Sequence, residues 1–206
     1  MPLKDVTEEF CGNPEAFMNN NIVLVSFIDP LTPAGLQYFT CWQGGAAISN
    51  KPNGKVCILK VASEKTRPAL PVYWCPYVQY KAISTMLGNE ALFAFTATMD
   101  GCSVGLGSSN AGNQAFVHVN AAQIATEWES EGADVARARQ EASQHAQLMH
   151  SHDCTTIVNP SDYRPQNLRS STTFAVHGLG QAWTIKTLTY ARSNATNYEH
   201  HGVTSY

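Results

Sequence analysis

Nine short stretches of this chain, 21–28, 35–42, 55–61, 71–77, 91–99, 102–105, 114–120, 172–176 and 181–190, are rich in β-branched, aromatic and other apolar residues. Turn residues separate them, as at Asp29-Pro30, Asn50-Lys-Pro-Asn-Gly54 and Gly88-Asn89. Segments this short bury their apolar sides only by pairing, so β structure dominates the expectation. Residues 132–150 carry the strongest helical period, with Val135, Ala138, Ala142, Ala146 and Met149 returning every three or four positions as a stripe to cover a sheet. A second short helix is expected over 121–129. Helices segregated against a sheet make the class α+β: a β-rich layered sandwich with a central antiparallel or mixed sheet and a few covering helices. No repeat, low-complexity tract or linker divides the chain, so residues 1–206 read as one domain.

Charged residues are 14% of the chain, against roughly 25% in an average soluble protein, so neutral polar groups must make much of the surface. A net charge of −3 with no basic run disfavours nucleic acid and anionic membrane as partners. The first ten residues include Asp5, Glu8 and Glu9 where a secretory signal needs a cationic start and an apolar core, so no Sec-type export is expected. No apolar run approaches the length of a membrane span. Six cysteines, at 11, 41, 57, 75, 102 and 154, form no Cys-x-x-Cys pair, and reduced, mostly buried thiols are expected. The pattern specifies no oligomer, and a monomer is the expectation.

Cys102 and His118 close the segment Cys102-Ser-Val-Gly-Leu-Gly-Ser-Ser-Asn-Ala-Gly-Asn-Gln-Ala-Phe-Val-His118, two alternating stretches around a Gly/Ser/Asn loop that read as a β-hairpin. Pairing symmetrically about Asn110 sets the two side chains opposite one another, with Cβ atoms roughly 4.5–5.5 Å apart. At that range an imidazole takes a thiol proton and leaves a nucleophilic thiolate. Gly101 permits a sharp turn that frees nearby backbone N–H groups for a carbonyl oxygen. Thr96 and Thr98 are expected on one face of the preceding strand, and they and Asn120 are candidates to orient the imidazole. On the residues alone, a packed strand cysteine in a β-rich interaction module remains open beside the nucleophile.

Other motifs carry less. His150-Ser-His152-Asp-Cys154 offers three metal ligands without a fourth or a common zinc spacing, and no metal is assigned. His145, His150 and His152 are accounted for by the dipole at a helix end, and His200-His201 reads as a solvated tail. Gly105-Leu-Gly107 lacks the third glycine of a dinucleotide fingerprint, and no Gly-x-Ser-x-Gly elbow is present. Asn194-Ala-Thr196 is a glycosylation sequon by letter only. No organic cofactor is expected.

The stretches Leu92-Phe-Ala-Phe-Thr96-Ala-Thr-Met-Asp-Gly101-Cys102-Ser-Val and Phe116-Val-His118-Val-Asn-Ala resemble the Burkholderia lethal factor family of bacterial toxins. That pattern is a threonine six residues before the cysteine of a Gly-Cys pair, a glycine-containing loop, then an apolar-His-apolar strand. Weaker echoes are Val72-Tyr-Trp-Cys-Pro-Tyr77, Trp128, Pro160-Ser-Asp-Tyr163, and Gly180-Gln-Ala182 leading to Leu188-Thr-Tyr190. The Cys-then-His hairpin also resembles cytotoxic necrotizing factors and chemoreceptor deamidases. The resemblance implies a glutamine deamidase with Cys102 as nucleophile, His118 as base and acid, and Thr96 as the orienting group. It further implies a virulence effector acting in a host cytoplasm, on a host protein such as a DEAD-box translation-initiation helicase or a Rho-type small GTPase. The loop between Cys102 and His118 is longer here than in the lethal factor, which bears on substrate choice. A cysteine protease or a transglutaminase uses the same nucleophile and stays open.

Overall fold

The computed structural model describes residues 3–63, 66–108, 114–164, 169–178 and 182–206. The chain runs β1 (Lys4–Asp5), α1 (Thr7–Gly12), α2 (Pro14–Asn20), β2 (Ile22–Leu24), β3 (Gly35–Gln43), β4 (Ala47–Ile48), β5 (Val56–Ala62), β6 (Leu70–Cys75), β7 (Ala82–Met86), β8 (Phe93–Thr96), β9 (Ser103–Ser108) and β10 (Gln114–Val119). It continues through α3 (Ala122–Glu127), a 3₁₀ turn (Glu129–Glu131), α4 (Ala133–His152), β11 (Cys154–Val158), α5 (Pro160–Tyr163), β12 (Arg169–His177), β13 (Trp183–Asn194) and β14 (Asn197–Ser205). Every expected strand is present in whole or part, and both expected helices form. The expected hairpin turn at Asn110, and Gln181 at the head of the last expected strand, lie outside the described residues.

Among the described residues, ten strands make one mixed sheet, in the order β2-β5-β3-β6-β8-β12-β13-β14-β4 with β1 on β3. The β2/β5, β6/β8 and β14/β4 pairs are parallel. A smaller antiparallel sheet runs β11-β9-β10-β7. The class is α+β and β-rich, as the segment pattern requires.

Strand alternation sorts the layers. From the large sheet, Val72, Trp74, Phe95, Phe174 and Leu188 pack with Phe10 and Phe17 of α1 and α2. The residues between them, Tyr73, Cys75, Ala94, Ala175 and Ile185, face Val104, Leu106, Phe116 and Val158 of the small sheet. The other side of the small sheet, Ala115, Val117 and Val119, packs under Leu148 of α4. The order is therefore helices, large sheet, small sheet, helix.

Two expectations about α4 change. Val135, Ala138, Ala142, Ala146 and Met149 are all exposed, and the buried residues are Ala136, Gln144 and Leu148. The helix docks through a partly polar seam, and the strand beneath it carries glycine where the end of the helix comes close. A Cβ on Gly105 would come within 2.7 Å of Cys154 Sγ, and one on Gly107 within 2.1 Å of the His152 carbonyl. That close approach is the role of the Gly105-Leu-Gly107 pair. His145 lies well inside the helix, not at its end, and its Nδ1 pairs with the Asn159 amide at 3.1 Å. His150 and His152 do occupy the last turn.

The tail reading of His200 is also corrected. It sits in β14, 4% exposed, with Nε2 bonded to the Met18 carbonyl at 2.9 Å and Nδ1 accepting from the Gly202 N–H at 3.0 Å. Pairing of β14 with β13 carries this residue over α2, where burial lowers its pKa.

Candidate active site

His118 stands on β10, on the face turned to the large sheet, and is 2% exposed. Its partner across the hairpin is Val104, not Cys102. Pairing is shifted from the symmetric register by two residues, which preserves the face, because side chains alternate with period two. Cys102 and His118 are diagonal neighbours on that face, a separation of about 7–8 Å between Cα atoms. The residue brought level with Cys102 is Asn120, whose Nδ2 donates to Sγ at 3.3 Å. Its Oδ1 accepts from the Tyr80 N–H at 3.1 Å, which anchors it.

Thr96 closes the arrangement from the other sheet. As the last residue of β8 it pairs with Cys75, and its hydroxyl donates to the Cys75 carbonyl at 2.8 Å. The same oxygen lies 2.5 Å from His118 Nδ1. A threonine hydroxyl has one proton, and the Cys75 carbonyl has it, so toward the imidazole Oγ1 only accepts. Nδ1 therefore carries the ring proton, and Nε2 holds a bare lone pair with no hydrogen-bond partner among the described residues. Thr98, expected beside Thr96, instead lines a cleft with Trp74 and Ala97, because the strand ends at Thr96.

That cleft, about 320 Å³, is walled by Val25, Ile28, Trp74, Tyr77 and Cys102 among others. The Trp74 indole N–H is buried without a partner, although the side chain is only 2% exposed. A second cleft of about 700 Å³ shares Tyr77, Asp100 and Asn120 with the first and extends to Arg137 and Glu141 of α4. The Tyr77 ring covers His118, 5.7 Å between centroids.

Both titratable groups rest neutral. Burial pushes the Cys102 thiol up to about 11, the Asn120 hydrogen bond opposing the rise. Burial alone pushes His118 down to about 4. The expectation of a standing thiolate is thus replaced by a neutral thiol and a neutral imidazole.

Sequence reasoning missed the groups that hold the backbone around Cys102. Tyr163, 1% exposed, accepts from the Gly101 N–H at 3.0 Å and donates to the Cys102 carbonyl at 2.8 Å. Arg164 donates to the Asp100 carbonyl, and Gln140 and Gln144 donate to that of Gly101. The segment Pro160-Ser-Asp-Tyr163 was the available signal for the first of these. The His150, His152 and Cys154 group is dispersed: both histidines end α4, while Cys154 is buried in β11. Among the described residues no His/Cys/Asp/Glu cluster has metal-binding geometry, and all six cysteines are free. In comparison with known proteins, no family model and no curated sequence matches the chain. The case for chemistry rests on geometry.

Proposed function

We propose that this protein is a glutamine deamidase, converting a glutamine side chain of a protein substrate to glutamate. The observation that carries the reading is the direction of the Thr96 hydrogen bond, which leaves His118 Nε2 as an unpartnered base on the face shared with Cys102. A merely packed imidazole does not need a buried ring nitrogen left without a partner, an omission costing about 1–3 kcal/mol.

Attack proceeds with the Cys102 S–H proton moving to Nε2 as sulfur bonds to the side-chain carbonyl carbon. The imidazolium then protonates the departing nitrogen, and ammonia leaves a thioester. Water gives a proton to Nε2, adds to the thioester carbon, and expels sulfur, which recovers its proton from the imidazolium. Tautomer control by Thr96 returns the lone pair to Nε2 whenever the ring is neutral.

The substrate we propose is a host protein, a DEAD-box initiation helicase or a Rho-type GTPase, met by a delivered effector; the likeness of Thr96, Cys102 and His118 to the lethal factor pattern supports that choice. The test is incubation of host lysate proteins with the native protein and with Cys102→Ser, followed by peptide mapping. Conversion of one glutamine to glutamate by the native protein alone supports deamidation. Chain cleavage indicates a protease, and preferential incorporation of an added primary amine indicates a transglutaminase.

A further inference from the structure

The peptide between Gly101 and Cys102 is held by an unusual number of side chains. The Gly101 carbonyl accepts from Gln140 Nε2 at 2.9 Å and from Gln144 Nε2 at 3.1 Å. A carbonyl oxygen has two lone pairs, and this one has two donors. The glutamines lie four residues apart on α4, one turn, which brings both to the same acceptor. The orientation of the Gln144 amide is fixed, because its Oε1 accepts from Ser103 Oγ at 2.8 Å and a reversed amide would set oxygen against the Gly101 oxygen. Gln144 is fully buried, on the seam where Ala136 and Leu148 pack the helix to the sheet. Packing alone would put an apolar side chain there.

This clamp aims a donor. The peptide is trans, so its C=O and N–H point in opposite directions. With the carbonyl drawn toward α4, the Cys102 N–H points away from the helix, toward the face of the small sheet that carries the thiol. Among the described residues that N–H has no hydrogen-bond acceptor. An unpartnered N–H on the nucleophile's own residue lies where the oxygen of a carbonyl attacked by Sγ becomes negative. We infer that Gln140 and Gln144 are positioning residues that hold the Cys102 N–H as the oxyanion donor, an assignment that rests on the acyl-transfer chemistry of the preceding section.

Two reactions of the same thiol separate this role from a structural one. Acetylation of Cys102 by p-nitrophenyl acetate passes through an oxyanion: sulfur adds to the carbonyl carbon, p-nitrophenolate leaves, and the thiol proton goes to His118. Alkylation by iodoacetamide displaces iodide at a saturated carbon and makes no oxyanion. Loss of an oxyanion donor costs about 10²–10³ in rate, so the double variant Gln140→Met/Gln144→Met should lose roughly a hundredfold in acetylation and Gln140→Met alone about tenfold. Alkylation should stay within about threefold of the native rate in both. Gln140 is only half-buried, so the single variant carries the test if the double one does not fold. Acetylation at the native rate overturns the inference, and so does an equal fall in both reactions, which would mean that the glutamines hold the thiol and not the donor. If the native protein is acetylated no faster than Cys102→Ser, the acyl-transfer reading itself fails and the inference falls with it.

Discussion

Acid should destabilise this protein through His118 in an amount that the site geometry sets. The imidazole is buried and neutral, with its pKa lowered from 6.5 to about 4. In the unfolded chain it returns to the ordinary value and binds a proton below pH 6.5, which the folded state resists until about pH 4. Stability is therefore present above pH 6.5 and lost as pH falls through that window. A gap of 2.5 units at about 1.4 kcal/mol each limits the loss to about 3 kcal/mol, with about 2 kcal/mol already gone at pH 5. Other groups titrate over the same range, so the measurement is a difference. Urea unfolding of the native protein and His118→Asn, at pH 7 and pH 5, isolates the imidazole; asparagine places an N–H near the position of Nδ1 and does not titrate. The variant should be the less stable at pH 7, and its deficit should shrink by about 2 kcal/mol at pH 5. A deficit that is constant refutes the buried neutral imidazole. A deficit that widens on acidification reverses the sign and establishes a standing thiolate-imidazolium pair.

Thr96→Val should lower turnover tenfold to thousandfold, roughly the range for impaired proton transfer, while Thr96→Ser, which keeps the hydroxyl, stays near native in single-turnover rates. Gly107→Ala should cost about 3 kcal/mol in urea unfolding, since its Cβ meets a backbone carbonyl. Gly12→Ala, with open space around it at the end of α1, should be neutral or stabilising by up to about 1 kcal/mol.

The parts of the fold legible in the sequence are those whose residues announce their neighbours locally. Leu70–Cys75 is apolar through its length, and Val56–Leu59 likewise, because these stretches lie inside the large sheet. β7 and β14 escaped notice for the opposite reason: Ala-Ile-Ser-Thr-Met is a partly exposed edge strand, and Asn-Tyr-Glu-His-His-Gly-Val-Thr-Ser pairs through its backbone while its composition reads as a tail. α1 and α2 are too short for a period to show. Cys102, His118 and Thr96 were legible because the hairpin and the preceding strand are contiguous, and a register slip of two kept every side chain on its face. Gln140 and Gln144 were not, since periodicity weights apolar residues and so selected the exposed side of α4. Their importance comes from one distant carbonyl, which no local pattern encodes.

The proposed nucleophile and base stand on the small sheet, whereas the hydroxyl that fixes the imidazole's tautomer, and the carbonyl that fixes that hydroxyl, belong to the large one. Turnover is thus a gauge of how the two sheets face each other. A mild denaturant or a hydrophobic cosolvent that pries them apart should silence chemistry while both hydrogen-bonded ladders still protect their amides from exchange. Activity is then expected to fall before either ladder opens.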